Sequence, residues 1–160
     1  MLKHIWTVVC RASIWDKETE EMSIIGVLDL VDLEMEERLY HFGRGIPYHF
    51  VLASCWRRED IEKPDRGYAR DVVKNPFGEI VFDQKYKVSL VKFTSRCITR
   101  DIFAQEFSES GDYTFIQYVR SEESENWIPV SEIPIHVEVK KKQKKSRKSK
   151  PTSDKRGKTS

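Results

Sequence analysis

A lysine- and arginine-rich segment at the C-terminus holds the side chains whose types are best suited to binding chemistry. Residues 140–160 contain eleven basic side chains and one acidic one, Asp154, for a net charge of +10, whereas the preceding residues, with 17 basic and 25 acidic side chains, carry −8. Cations at this density neutralise phosphates and release counterions, which predicts charge-driven binding to RNA, DNA or an acidic protein. The predicted binding residues are Lys140, Lys141, Lys142, Lys144, Lys145, Arg147, Lys148, Lys150, Lys155, Arg156 and Lys158.

The same segment predicts its own disorder when it is alone. Residues 140–150 include no apolar side chain, so they cannot bury enough surface to fold. We therefore predict a folded domain over residues 1–139 and a disordered tail over 140–160. The tail has no interleaved aromatic residues to stack on bases, which favours binding without sequence preference. A solubilising tail, or one that folds back on the acidic body, is the alternative.

Metal chemistry has weaker support in the sequence. Asp29 and Asp32, together with an acidic loop, would be the place for calcium at one end of the molecule, but their spacing matches no established calcium pattern. The histidines follow neither an H-x-H nor an H-E-x-x-H spacing. They are His4, His41, His49 and His136. We therefore predict no metal site and no cofactor.

The cysteines point to a compartment rather than to a reaction. Cys10, Cys55 and Cys97 are odd in number, lack a C-x-x-C spacing and fall in predicted strands, where cysteine is usually a small buried hydrophobe. The N-terminal apolar run has no signal-peptide cleavage site, and no run approaches the ~18 apolar residues of a membrane span. The sequence thus predicts a soluble, cytoplasmic protein with no membrane span and no catalytic residue, not an enzyme.

The element that would organise the body is a strand in the stretch 108–119. Gly111 permits a positive φ at a turn, and eight residues rich in β-branched and aromatic side chains follow it. Tyr113, Phe115 and Gln117 share one face of this strand. A turn glycine two residues before an inward tyrosine is how the penultimate strand of many immunoglobulin-like sandwiches begins, with the tyrosine hydroxyl bound to the preceding corner. We predict that this is the central strand.

The other strands follow at about ten-residue spacing, which favours an all-β, antiparallel immunoglobulin-like sandwich of seven to nine strands. Residues 34–46 are predicted to be a long loop, and 75–78 a β-turn. Pro129 and Pro134 cannot donate ladder hydrogen bonds, which places the last strand at a sheet edge. The predicted strands are 4–13, 22–33, 47–56, 68–73, 79–82, 86–93, 98–107, 112–119 and 127–139.

The order of these motifs resembles an uncharacterised bacterial family of single-domain immunoglobulin-like sandwiches, a domain of unknown function. The resemblance spans residues 4–139, and it implies the fold but carries over no catalytic residue. The segments that carry it are the apolar strand ending at Cys10-Arg11, MSIIGV at 22–27, the aromatic strand 48–56, NPFG at 75–78, SGDYTF at 110–115 and IPIHV at 133–137.

These observations together predict a non-catalytic interaction module with a cationic tail. Trp15 and Trp127 stand nearest to loops and form a candidate exposed patch for a protein partner of the sandwich. One alternative is a structural or assembly component that pairs through its sheet edges. Another is an enzyme or metal-dependent module built on the loops at one end of the sandwich.

Overall fold

Nine β-strands make up the part of the chain that the computed structural model describes, residues 2–35, 45–122 and 126–141, and this part has no helix. The prediction of an all-β fold is confirmed. The strands are β1 Leu2–Trp15, β2 Met22–Val27, β3 Leu30–Met35, β4 Ile46–Arg58, β5 Arg66–Lys74, β6 Ile80–Ser89, β7 Ser95–Phe107, β8 Gly111–Ser121 and β9 Ile128–Lys141.

The strands form two sheets that pack as a sandwich. The four-stranded sheet has the order β2-β1-β4-β7, and the five-stranded sheet has the order β3-β9-β8-β5-β6. All neighbouring strands are antiparallel except β3 and β9, which are parallel, so the second sheet is mixed rather than purely antiparallel. The order β9-β8-β5 is that of the last, penultimate and third strands of an immunoglobulin domain.

The predicted central strand is confirmed as β8, the middle strand of the five-stranded sheet. Tyr113, Phe115 and Gln117 are all buried on its inner face. Burial raises the pKa of the Tyr113 hydroxyl, which is hydrogen-bonded to the backbone of Glu109 and to Ser108. This tyrosine therefore ties β8 to the corner that precedes it.

Two apolar clusters fill the space between the sheets. In the larger one, the Phe107 and Tyr113 rings meet edge to face at 4.8 Å, and the Phe50 and Phe115 rings do so at 5.1 Å. Such edge-to-face pairs add to the stabilisation from buried area. The smaller cluster surrounds the fully buried Trp56.

A turn supports the beginning of β8. The Asn75 Oδ1 accepts hydrogen bonds from the backbone N–H groups of Phe77 and Glu79, which forms the turn predicted at 75–78. Gly111 has a φ of +140°, and a Cβ atom there would lie 2.8 Å from Pro76 Cγ. Only glycine lets the β8 corner approach the turn this closely.

The prediction that the last strand lies at a sheet edge is wrong, because β9 lies between β3 and β8. β3 begins its pairing with β9 at His136 and continues to Lys141. Pro129 and Pro134 precede this stretch, so they need no hydrogen bond towards β3. The two prolines thus lie in the part of β9 that has no partner on the β3 side, but the strand as a whole is not at an edge.

The single strand predicted at 22–33 is two strands that belong to different sheets. Leu28 is buried between the sheets, and its N–H donates to the carbonyl of Val9 in β1. The next carbonyl, that of Asp29, accepts from the N–H of His136 in β9. The chain therefore crosses the sandwich at this point, and a buried leucine marks the crossing.

Other element boundaries also differ from the prediction. The strands predicted at 79–82 and 86–93 are one strand, β6, which ends at Ser89. Of the loop predicted at 34–46, β3 takes the beginning up to Met35 and β4 begins at Ile46, and residues 36–44 lie outside the described residues. β9 ends at Lys141, so the first two residues assigned to the tail belong to the sandwich.

Candidate functional site

The basic tail leaves the sandwich at the end of β9, where Lys140 is already neutralised. Its Nζ lies 2.7 Å from Asp32 Oδ1 and 2.8 Å from Glu138 Oε2, and these bonds raise the pKa of Lys140. The Lys141 backbone continues the pairing of β9 with β3. The other predicted binding residues, from Lys142 to Lys158, lie outside the described residues.

The two tryptophans of the predicted partner patch lie at opposite ends of the sandwich. Trp127 contacts the Arg120 guanidinium. Gly67 lies between Arg120 and Leu2, because a Cβ atom added to Gly67 would lie within 2.8 Å of both Leu2 and the Arg120 carbonyl. The Leu2 end of β1 is therefore next to Arg120. Trp15 is at the other end of this 14-residue strand, about 40 Å away. The two side chains do not share one surface.

Aromatic and basic side chains alternate on the outer face of the five-stranded sheet. Tyr68 of β5 is directly opposite Lys87 of β6 and Arg120 of β8, and Arg70 is opposite Lys85 and Tyr118. Cross-strand partners point to the same side of a sheet, so these side chains share one face. We call this surface the aromatic–basic face; it consists of Tyr68, Arg70, Lys85, Lys87, Tyr118, Arg120 and Trp127.

The cations of this face lie over its rings. Arg120 is central, because its Cζ lies 5.0 Å from the Tyr68 ring centre and 4.9 Å from that of Trp127. Lys87 Nζ lies 5.8 Å from the Tyr68 ring, and Lys85 Nζ lies 6.0 Å from the Trp127 ring. Each distance is within the range of cation–π attraction. The contacts connect three strands and the residue before β9 into one surface.

Two carboxylates balance part of this positive charge. Asp83 accepts hydrogen bonds from Arg70 at 2.6 and 2.8 Å, and Glu122 lies 2.6 Å from Lys87 Nζ. Hydrogen bonds from these cations lower the pKa values of both acids. Four cations and two acids leave the aromatic–basic face with its partners at a net charge of +2.

A polar network crosses the interior and joins the two sheets. The Asp71 carboxylate of β5 accepts bonds from Arg100 Nη1 of β7 at 2.6 Å and from Gln117 Nε2 of β8 at 2.9 Å. Gln117 Nε2 also donates to the Tyr86 hydroxyl at 3.0 Å, and its Oε1 accepts from Thr7 Oγ1 at 2.6 Å. The network therefore includes side chains from five strands.

The environment of this network is too enclosed for a substrate. Burial raises the pKa of the Asp71 carboxyl, although Gln117 and Arg100 act in the opposite direction. Burial and the nearby Asp71 charge also raise the pKa of Tyr86. The cavity beside Asp71 holds about 10 Å³, whereas ligand pockets have roughly 300–1,000 Å³. Its position and partners indicate a structural connection between the sheets.

The metal-type side chains of the described residues are dispersed. No group of three or more His, Cys, Asp or Glu residues converges there. His4 Nε2 lies 2.7 Å from Thr7 Oγ1, and His136 Nδ1 lies 2.7 Å from Asp112 Oδ1. Asp32, one of the two aspartates considered above for calcium, is paired with Lys140. His41 lies outside the described residues.

The cysteines lie in strands, as predicted, and two of them are neighbours. Cys10 is fully buried, and its thiol donates to the Val51 carbonyl at 3.6 Å. Cys55 of β4 is directly opposite Cys97 of β7. Burial and the adjacent Cys97 thiol raise the pKa of Cys55 to about 11. The Cys55 thiol is therefore protonated at neutral pH.

Sequence reasoning missed the aromatic–basic face, although a signal was present. Each of β5, β6 and β8 contributes two such side chains at a spacing of two residues, the period that puts them on one side of a strand. On a single strand, however, this pair is only a solvated face. The register between the strands, which the sequence does not show, assembles the three pairs into one surface.

Comparison with known proteins assigns no function to this chain. No family model and no curated protein matches the sequence. The chain is similar to the C-terminal domain of wzt in its crystal structure, with a TM-score of 0.49 and 12% sequence identity over 86% of this chain and 73% of that one. We transfer no residue role from it. Within the described residues, no helix has the length and apolar character needed to cross a membrane.

Proposed function

We propose that this protein is a non-catalytic interaction module whose basic tail binds nucleic acid by charge. The observation that carries the proposal is the separation of charge along the chain, with +10 in residues 140–160 and −8 in the rest. A polyanion gains from the tail and is repelled by the body. The strand order of the sandwich also supports the resemblance to bacterial single-domain immunoglobulin-like proteins.

The end of β9 makes a separate role for the tail plausible in physical terms. Lys140 is held by Asp32 and Glu138, so the acids at the exit point already have a basic partner. Nine basic side chains follow Lys141, between Lys142 and Lys158, with Asp154 as the only acid among them. Their attraction to phosphates depends on counterion release and is strongly sensitive to salt.

The test is binding of the full chain to a labelled 20-base-pair duplex between 50 and 200 mM salt. The matched variant is a full-length chain in which the nine basic residues from 142 to 158 are replaced by glutamine. We expect a log–log slope of up to about −8 for the native chain and a slope near zero for the variant. Equal affinities of the two proteins at 50 mM salt would refute the proposal. Binding to polyglutamate but not to the duplex would assign the tail to an acidic protein partner instead.

A second candidate function is assembly through the edge of the four-stranded sheet. β2 is an edge strand whose six residues, MSIIGV, include no charge and no proline, the features that usually protect an edge. Ile25 and Val27 are 46% and 64% exposed. If this edge pairs with a second copy, Ile25→Lys should convert a dimer to a monomer in light scattering. A native chain that is monomeric at 100 μM would exclude this function.

A further inference from the structure

We propose that the aromatic–basic face is a second binding site, one that holds single-stranded nucleic acid by stacking its bases. This inference goes beyond the proposed function of the tail. It depends on a different part of the molecule and on a different type of contact. The site and the tail share only the class of partner, and a separate experiment tests the site.

The chemistry of the face matches a strand with unpaired bases. Tyr68, Tyr118 and Trp127 provide π-surfaces, and bases stack on such rings or on arginine guanidinium planes whatever their sequence. Arg120 lies against two of the rings and fixes their positions. A duplex hides its base faces within the stack and has no access to these contacts. The site should therefore prefer single strands.

The position of the lysines matches the phosphates of the same ligand. Lys85 and Lys87 are exposed and lie on β6, the edge strand of the sheet, beside the rings. Alternate residues on a strand are about 7 Å apart, and neighbouring strands are about 5 Å apart. Three rings across this area provide room for about three bases, as on the sheet of other RNA-binding domains.

The charge of the face favours an anionic ligand over a neutral glycan, which also stacks on aromatic rings. Four cations and two acids leave a net +2 on the face and its partners. Glu122 and Asp83 compete with phosphates for Lys87 and Arg70, which reduces the gain from these two cations. Phosphate binding still releases counterions, so it should weaken as salt rises. A neutral sugar gains nothing from this charge. The surface therefore fits a polyanion with flat, stackable groups.

The experiment measures fluorescence anisotropy of a labelled ten-nucleotide mixed-sequence RNA with the full chain over a salt series, from about 50 to 200 mM. We expect Trp127→Ala to weaken binding about 5- to 150-fold, the value of one stacking contact, and to leave the salt slope unchanged. We expect Lys85→Gln with Lys87→Gln to reduce the slope by about 1.4. The matched control is Phe93→Ala, which removes a similar cation–π pair with Arg96, 5.6 Å apart, from outside this face.

The tail variant separates the two proposals. In a chain whose tail is neutralised, Trp127→Ala should still weaken binding to the single strand, and neither protein should bind the duplex. If neutralising the tail removes all binding to the single strand, the proposal for the aromatic–basic face is overturned, whereas the proposal for the tail is not. Equal affinity of Trp127→Ala, Tyr118→Ala and the native chain would also overturn it. So would tighter binding to dextran than to the RNA. If Trp127→Ala does not fold, the double variant Lys85→Gln with Lys87→Gln tests the proposal instead. A salt slope equal to that of the native chain would then overturn it.

Discussion

The Arg100 guanidinium of β7 lies 2.6 Å from the Asp71 carboxylate of β5, and this ion pair joins the two sheets through the interior. Only 3% of the Asp71 side chain and 14% of that of Arg100 are exposed. Gln117 occupies the other oxygen of the carboxylate at 2.9 Å. A buried charge held in this way depends on its partners, because without them its desolvation is not offset.

We therefore expect Arg100→Met to lower the free energy of unfolding by about 3–5 kcal/mol, since it leaves Asp71 buried without a counterion. Arg70 provides the control. Its Nη2 also lies 2.6 Å from a carboxylate, that of Asp83, but 38% of this aspartate side chain is exposed. Arg70→Met should cost no more than about 1 kcal/mol. Urea denaturation measures both free energies of unfolding. Equal losses would show that burial does not determine how much an ion pair contributes to stability.

The approach of Gly111 to Pro76 leads to a second comparison. Gly111→Ala combines a positive φ with a Cβ only 2.8 Å from Pro76 Cγ, whereas Gly78→Ala has a positive φ but no atom within 4 Å. We expect a loss of about 1–2 kcal/mol for Gly78→Ala. A further loss of about 1–3 kcal/mol is expected for Gly111→Ala, because the turn must move. Thermal unfolding of the two variants tests this order, and a smaller loss at Gly111 would contradict the packing of the β8 corner on the turn.

The pH dependence of stability should include a contribution from His4. Burial lowers the pKa of His4 below 6.5, and its Nε2 lies 2.7 Å from Thr7. As pH falls below 6.5, the unfolded chain takes up a proton before the folded chain does, so stability is lost down through the lowered pKa. We expect His4→Gln to remove this part of the decline below pH 6.5.

Guanidinium unfolding at several pH values measures this effect. The quantity of interest is the difference in the free energy of unfolding between native chain and variant, which cancels the contributions of all other groups. It should be constant above pH 7 and should change below pH 6.5 for His4→Gln. A constant difference over the whole range would contradict the lowered pKa of His4.

The fold could be read from local features of the sequence to a large extent. The apolar run of β4, the turn at 75–78 and the glycine–tyrosine spacing at the beginning of β8 each depend on neighbouring residues alone. The internal position of β9, between β3 and β8, could not be read in this way. It depends on β3, which arrives from a distant part of the chain and pairs only beyond Pro134.

The candidate surfaces were harder to predict from the sequence, for a related reason. Tyr68, Lys87 and Arg120 are far apart in sequence and meet only through the register of three strands. The same is true of the Asp71–Arg100 pair, which crosses from one sheet to the other. The tail could be recognised because its property, charge density, needs no partner in space. A sequence shows local chemistry well and cross-strand chemistry poorly.

The thiols of Cys55 and Cys97 provide the last prediction. They are directly opposite in antiparallel β4 and β7, where paired Cα atoms are about 4.5–5.5 Å apart, within the range that a disulfide spans. The pKa of Cys55, raised to about 11, keeps the thiolate fraction very low at neutral pH. We therefore expect diamide to take one hydrogen from each thiol and form a Cys55–Cys97 disulfide, at a rate that rises with pH because the thiolate is the reacting form.

Mass spectrometry of non-reduced peptides measures this reaction as a loss of about 2 Da in the linked pair. Cys10 should remain a free thiol throughout, because it is fully buried and bound to the Val51 carbonyl. Cys97→Ser should abolish the intramolecular product without changing the behaviour of Cys10. A disulfide that includes Cys10 in the native chain would contradict the arrangement of the two strands, and a rate that does not depend on pH would contradict the protonated state of Cys55.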